Sequence, residues 1–295
     1  MQVVRRPDSV RAVARTLPRP VGLVPTMGAL HDGHLALVRR ARAENAAVVA
    51  SLFVNPLQFA PNEDFERYPR SFDRDAALFE AAGVELLYAP AVAQIYPAGF
   101  STTVDVGVRG AQFEGAVRAG HFAGVATIVA KLLHAVEPTS LYLGQKDAQQ
   151  TVVLRRMIAD LDLPVSVVVA PTVREPDGLA LSSRNVYLTT EQRAAAPSLQ
   201  RALAATREAL AGGASIADAK AAGRAQLLPP FAFEYLEVVD PMTFVALDRP
   251  ARPAIVIGAA RAGERRLLDN VTIPALDGTD PVLTPVVGER RTAQR

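Results

Sequence analysis

Residues 21–34 read VGLVPTMGALHDGH. The apolar run 21–24 ends in Pro25-Thr26, and a glycine-containing turn follows. Asp32 then stands where a helix N-cap is wanted, ahead of the apolar-periodic Leu35, Leu37 and Val38. Strand, tight loop and helix start in that order mark, in an α/β sheet, a place where phosphate groups bind. The first-turn backbone N–H groups are unpaired there, and the helix dipole favours negative charge.

His31 and His34 fall in this loop, and the chain has only four histidines. Gly28 and Gly33 let backbone approach a ligand closely. Imidazoles donate to phosphate oxygens without the fixed charge of an arginine. A solvated turn or a metal pair is the competing interpretation. A metal pair on a helix face calls for HExxH spacing, and no third ligand stands nearby. Nucleotide phosphate is the favoured ligand.

The 295 residues suffice for one large or two modest domains. Hydrophobic residues make up 49% and charged residues 21%, as in a soluble globular protein. The formal net charge of +2, with both signs interspersed, gives no basic domain for nucleic acid. The absence of cysteine excludes disulfides, thiolate metal sites and a cysteine nucleophile, and fits the cytosol. The longest apolar run, residues 46–54, is too short to span a membrane. Arg5 and Arg6 are followed by Pro7, Asp8 and more arginines, which is not the pattern of an export signal.

Along the chain, periodicity predicts a short helix over 8–17 before the first strand, a helix over 33–44 and a buried parallel strand over 46–54. Asn55 and Gln58 follow that strand end and are candidate ligand contacts, although an Asn-Pro turn accounts for Asn55 equally well. The polar stretch to Pro69 is expected to be a mobile lid. A helix over 72–82 and a strand over 84–88 come next, then a loop-rich region with a short strand at 102–106. Phe122, Val125, Ala126, Val129, Leu132, Leu133 and Val136 lie at helical spacing, with Lys131 and His134 off that stripe and solvated. Arg118 and His121, just ahead, suit an anion or a surface cap. Strand 139–143 leads into Gly144-Gln145-Lys146-Asp147 and a helix, and strand 165–170 ends at Pro171. This alternation indicates a doubly wound parallel sheet.

Beyond Pro171 the pattern changes. Residues 172–185 are loop-like and contain Leu181-Ser182-Ser183-Arg184-Asn185. A helix over 190–211, another over 215–228, and strands at 233–239, 254–257 and 267–273 predict a small α+β second domain. The expected organisation is 1–172 as nucleotide- and acid-binding domain, 173–280 as the smaller domain closing over the nucleotide, and 281–295 as a disordered tail. The His31/His34 loop, Lys146 and Ser182-Ser183-Arg184 together describe a nucleotidyl-transfer site, with cations neutralising a triphosphate. No Walker A or GxGxxG sequence is present.

Six segments carry a family resemblance: PTMGALHDGH at 25–34, FVNPLQF at 53–59, YPRSFDRD at 68–75, RAGHFAGVATIVAKL at 118–132, LGQKDAQQ at 143–150 and REPDGLALSSRNVYL at 174–188. In this order they resemble the pantoate–β-alanine ligase (pantothenate synthetase) family of the HxGH-type nucleotidyltransferase superfamily. The resemblance implies a Rossmann-like α/β fold, a doubly wound parallel sheet with a smaller α+β C-terminal domain. It also implies adenylation of pantoate by ATP, followed by displacement of AMP by the amine of β-alanine. The pantoate carboxylate is already ionised at neutral pH, so the first step needs charge stabilisation rather than deprotonation.

By matched motif, Met27, Gly28, His31, His34, Gly144, Lys146, Asp147, Val173, Leu181, Ser182, Ser183 and Arg184 are the implied ATP contacts. His34, His31, Lys146 and Arg184 are the implied catalytic groups. Gln58 and Gln150 are implied to hold pantoate, with Gln58 also at β-alanine. Mg²⁺ accompanying ATP, a cytoplasmic location and a homodimer are implied as well, with no nucleic-acid or membrane partner. The sequence departs from the family at Ala148, where an aromatic is usual, at Leu181, usually methionine, and at Ala119, usually proline. Asp73 and Asp75 resemble an acidic stretch near magnesium, but Arg74 interrupts it and no metal ligand is assigned. Another nucleotidyltransferase of the superfamily and a catalytically dead nucleotide-binding module are the alternatives.

Overall fold

The structure is a computed structural model that describes residues 1–60, 63–280 and 282–283. The described residues fall into two compact units, one comprising Met1–Leu143 and Val153–Ala170, the other Gly144–Val152 and Pro171–Thr284. The elements of the first part of the chain are β1 (Gln2–Val4), α1 (Pro7–Ala14), β2 (Val21–Thr26), α2 (Asp32–Glu44), β3 (Ala47–Leu52), α3 (Phe72–Ala81) and β4 (Leu86–Tyr88). Then come α4 (Val92–Ile95), α5 (Glu114–Val117), α6 (His121–Val136), β5 (Ser140–Gly144), α7 (Ala148–Asp160) and β6 (Ser166–Ala170).

Among the described residues, β1–β6 form one six-stranded parallel sheet flanked by helices, in the order β1-β4-β3-β2-β5-β6. From β2 the chain winds outward through β3 and β4, then returns to β5 on the other side of β2. The sheet therefore has its topological switch point at the carboxyl ends of β2 and β5, the usual ligand crevice of such sheets. Strand β3 is AVVASL with its first five residues buried, the near-continuous apolar run that a strand covered on both faces requires. Val24, Leu30, Val38, Val48, Phe79, Leu87 and Tyr142 belong to one core cluster here. Each fully buried side chain of this size contributes about 1.5–3 kcal/mol.

Three expectations change. Strand β1 precedes α1 at the sheet edge, paired in parallel with β4; three residues are too few for a periodic signal. Residues 102–106 form no strand: the Val104 N–H donates to Thr127 Oγ1 on α6 at 2.9 Å, so that backbone donor is satisfied without a ladder. Lys131 is half-buried, with its ammonium 5.0 Å from the Phe100 ring centroid, while His134 is exposed as expected.

The second unit contains α8 (Thr190–Ala195), α9 (Ser198–Ala211), α10 (Ile216–Arg224) and the strands β7 (Ala232–Val239), β8 (Ala254–Ala262) and β9 (Arg265–Ile273). Among the described residues the sheet is antiparallel with β8 in the middle. The single helix expected over 190–211 is two helices. Pro197 lacks the N–H that would continue α8, which ends at Ala195. Leu199 and Leu203 of α9 pack with Val256 and Ala260 of β8. The expectation of a disordered tail over 281–295 falls outside the described residues except at Val282, which is buried, and Leu283; both N–H groups donate to Asp280.

Candidate functional site

The loop after β2 is built from below by a buried carboxylate. Gly28 has φ +73°, and a Cβ there would meet Asp75 Oδ2 at 2.6 Å, so this position requires glycine for both its conformation and its space. Asp75 Oδ1 accepts from the Leu30 N–H at 2.9 Å, and the Tyr68 hydroxyl donates to the Gly28 carbonyl at 2.7 Å. Burial raises the Asp75 carboxyl above its ordinary range, against the Leu30 hydrogen bond and the charge of Arg74. Asp75, in the stretch likened to a magnesium site, is occupied in shaping the loop.

The N-cap of α2 is His31, not Asp32 as the spacing suggested. Its Nδ1 accepts from the Gly33 N–H at 3.2 Å, and His34 Nδ1 accepts from the His31 N–H at 3.3 Å. Aspartate is the usual cap residue and imidazole an uncommon one, which is why the sequence pattern pointed one position too far. Asp32 is instead the first helical residue, exposed, where its charge favours the helix dipole. The two rings lie 4.0 Å apart and are half-buried.

Gln58 ends a short helical turn, Pro56–Gln58, that follows β3. Its Oε1 accepts from Asn55 Nδ2 at 3.0 Å, and its Nε2 donates to Met27 Sδ at 3.0 Å. Met27, Gly28, His31, His34 and Gln58 therefore belong to one loop cluster of the first unit. Asn55 is fully enclosed: its Nδ2 also reaches the Gly124 carbonyl, and its Oδ1 accepts from the Tyr96 hydroxyl at 2.7 Å. Its place is behind Gln58. Arg118, just after α5, and His121, the first residue of α6, both considered for an anion, face the same turn, with Arg118 Nη2 and His121 Nδ1 both on the Gln58 carbonyl at 3.1 and 2.9 Å. Arg118 also pairs with Glu63 at 2.6 Å, and Phe65 packs on Phe59, so the described part of the expected lid is tied to this cluster.

The second unit holds the other candidates. Gly144 closes β5, and Gln145–Asp147 form a 3-10 turn before α7. Lys146 thus lies ahead of the helix that carries Gln150, rather than in it; Lys146 Nζ is 3.7 Å from Asp147 Oδ1, and both Lys146 and Gln150 are half-buried. Asn270 on β9 donates through Nδ2 to the carbonyls of both Gln145 and Lys146 at 2.9 Å. The next residue back, Asp269, is buried and pairs with Arg174 at 2.5 Å.

Arg174 begins a hairpin. It bridges to Ala180, and the Leu181 N–H donates to the Val173 carbonyl at 3.0 Å, placing Val173 beside Leu181. Ser182 Oγ accepts from the Arg184 N–H at 3.3 Å and caps the turn Ser183–Tyr187. Gly144, Lys146, Asp147, Gln150, Val173 and Leu181–184 therefore share one unit, and strand β9 ties both the lysine turn and the hairpin. Asn270, Asp269 and Arg174 escaped the sequence reading. Their partners lie more than ninety positions away for the pairs that matter, and the only local sign was a polar Asp-Asn pair inside an apolar strand.

Chemically, the first unit offers paired imidazoles at a helix N-terminus and an oriented amide. The second offers a lysine on a pinned turn and a serine–arginine hairpin. Among the described residues no group of three metal-ligating side chains is assembled, and no helix is long and apolar enough to cross a membrane.

A family model described as pantoate-beta-alanine ligase matches residues 2–272. The pantothenate synthetase of Thermus thermophilus is 54% identical over 274 residues, covering 92% of this chain and 99% of that protein. That of Herpetosiphon aurantiacus is 51% identical over 277 residues, covering 92% and 100%. The crystal structure of the Thermus thermophilus protein superposes with a TM-score of 0.89 over 93% of this chain and 100% of that one. The pantoate-beta-alanine ligase of Francisella tularensis, solved with beta-gamma ATP and beta-alanine, is 30% identical with a TM-score of 0.77, covering 92% and 97%. The chain belongs to the pantoate-beta-alanine ligase family.

Proposed function

We propose that this member of the family joins pantoate to β-alanine through a pantoyl-adenylate intermediate. It is an amide-forming ligase that makes pantothenate at the expense of ATP. In the first step a pantoate carboxylate oxygen attacks the α-phosphorus of ATP, and the bond to the bridging oxygen breaks to release pyrophosphate. In the second, the neutral amine of β-alanine attacks the acyl carbon, AMP leaves with the bridging oxygen, and the amine proton passes to solvent.

The residues divide the work by chemistry. His31 and His34, with their Nδ1 atoms accepting from backbone, carry hydrogen on Nε2 and donate it toward phosphate oxygens. Lys146 and Arg184 neutralise charge that builds on the phosphates during the first step. Met27, Gly28, Gly144, Asp147, Val173, Leu181, Ser182 and Ser183 hold the nucleotide, with Asp147 on the ribose hydroxyls. Gln58 and Gln150 hold pantoate by its oxygens, and Gln58 is also near β-alanine. The observation that carries this reading is the imidazole pair at the N-terminus of α2, beside the switch point of the parallel sheet.

Mg²⁺ enters with the triphosphate, a mode in which the ion keeps several waters and leans on substrate phosphates rather than on a protein cage. The donor set fits that mode, since no three-ligand cluster is present among the described residues. A cytoplasmic location and a homodimer complete the proposal; the first is supported by the cysteine-free composition, and sedimentation tests the second. The test of function is ATP–pyrophosphate exchange: pantoate alone supports it, and β-alanine is needed only for AMP release. Exchange with no acid present, or with CTP in preference to ATP, overturns the reading.

A further inference from the structure

We infer that His121 and Arg118 form a positioning relay that fixes Gln58 through its backbone, and so sets the grip on the carboxylic-acid substrate. The inference rests on the reading that Gln58 contacts pantoate.

The Gln58 carbonyl receives two hydrogen bonds from α6 and the residues ahead of it: His121 Nδ1 at 2.9 Å and Arg118 Nη2 at 3.1 Å. A carbonyl only accepts, so His121 carries its hydrogen on Nδ1. Its Nε2 is then an acceptor, and Arg118 Nη1 stands 3.2 Å from it. The tautomer is thus fixed from both sides. Arg118 is held in turn by Glu63, whose two oxygens accept from Nε at 2.7 Å and Nη2 at 2.6 Å. Burial of His121, followed by the charge of Arg118, keeps the ring neutral, with its pKa lowered to about 4.

The side chain of Gln58 is oriented by the same surroundings. Asn55 Nδ2 occupies Oε1, which leaves Nε2 as the donating end, held in this structure by a thioether sulfur. Sulfur is a weak acceptor, and a substrate carboxylate or hydroxyl oxygen is a stronger one. Gln58 is therefore set to read an oxygen acceptor. The turn can lie this close to α6 only because Gly124 has no side chain: a Cβ there would be 2.2 Å from the Leu57 carbonyl oxygen. Moving the Gln58 carbonyl moves the amide it carries.

The experiment compares His121→Leu, His121→Gln and Gln58→Ala by steady-state kinetics in pantoate and in ATP separately, with thermal melts on each. His121→Leu is expected to raise the pantoate KM about tenfold, the scale of a displaced buried hydrogen bond, with the ATP KM within about twofold of the parent. His121→Gln keeps an N–H donor and should recover most of that loss, which a merely structural role does not predict. A folded His121→Leu protein with the parent pantoate KM overturns the relay, provided Gln58→Ala raises it. An unchanged pantoate KM in Gln58→Ala overturns the underlying reading instead. Should His121→Leu not fold, Arg118→Gln provides the same split, and an unchanged pantoate KM there overturns the relay.

Discussion

His31 and His34 cap one helix reciprocally, each accepting a backbone N–H through Nδ1. In the proposed mechanism the arrangement separates two jobs that would otherwise be confounded: Nδ1 serves the fold, and Nε2 is the atom proposed to serve the ligand. His31→Asn retains a good N-cap acceptor, and His34→Gln retains the reach-back of a capping box. Both variants should therefore melt within a few degrees of the parent, while exchange falls by roughly 10²–10³-fold, the scale for losing one preorganised donor. Loss of stability in parallel with activity would show the rings to be structural only.

Lys146 and Gln150 provide a second separation, because a lysine neutralises phosphate and an amide reads neutral oxygens. Lys146→Ala should slow adenylation by roughly 10²–10³-fold with little change in pantoate affinity. Gln150→Ala should weaken pantoate by about 1–3 kcal/mol and leave ATP binding nearly intact. Titration with each ligand alone, plus single-turnover adenylation, checks both. The reverse pattern would mean the two roles are exchanged.

Asp75 is a buried carboxylate with a raised pKa, so its charged form destabilises the folded state at neutral pH and acidification through the folded-state value relieves that cost. Asp75→Asn keeps an oxygen for the Leu30 N–H and removes the charge. Its stability at pH 7 should equal or exceed the parent's, and Asp75→Ala should cost about 1–3 kcal/mol by leaving that N–H unpaired. Urea unfolding at two pH values measures both; a large loss in Asp75→Asn would show that the charge itself is needed.

His121 gives a pH dependence of opposite sign. Its pKa is about 4 when folded and 6.5 in the ordinary state. Between those values the unfolded chain binds the proton and the folded one does not, so stability is full above about 6.5 and falls as pH drops toward 4. The total is on the order of 3 kcal/mol. His121→Gln should flatten the urea-midpoint profile across that window, and an unchanged slope would assign the titration elsewhere.

The doubly wound sheet was legible because β3 and the stretches around β2 and β5 are short apolar runs punctuated by Gly, Pro and Asn. The helix after this loop was legible for the same reason, though its start was set at residue 33, one position late, because the cap was assigned to Asp32 on propensity when the His31 imidazole performs it. Pro197 was present in the sequence as a break, but the alanine-rich pattern on either side outweighed it. Asn55, Arg118 and His121 were visible as residue types without their direction. Whether each turns to ligand or to backbone depends on how α6 meets the Pro56–Gln58 turn, and Gly124 is the local condition for that contact. Asn270 stood out only as part of a polar Asp-Asn pair in an apolar strand, a sign that does not name its partners, the carbonyls of Gln145 and Lys146.

Asn270 follows Lys146 by 124 positions, and that interval is also a schedule. A ribosome adds roughly 5–20 residues per second, so the lysine is made roughly 6–25 s before the residue that pins its carbonyl. A nascent chain halted short of position 270 already carries both histidines, the lysine and the serine–arginine loop. It lacks the tie across the lysine turn. Among the described residues β9 is the last strand to be synthesised, and it is the one that completes the setting of Lys146, so translation finishes the fold of this turn from far along the chain.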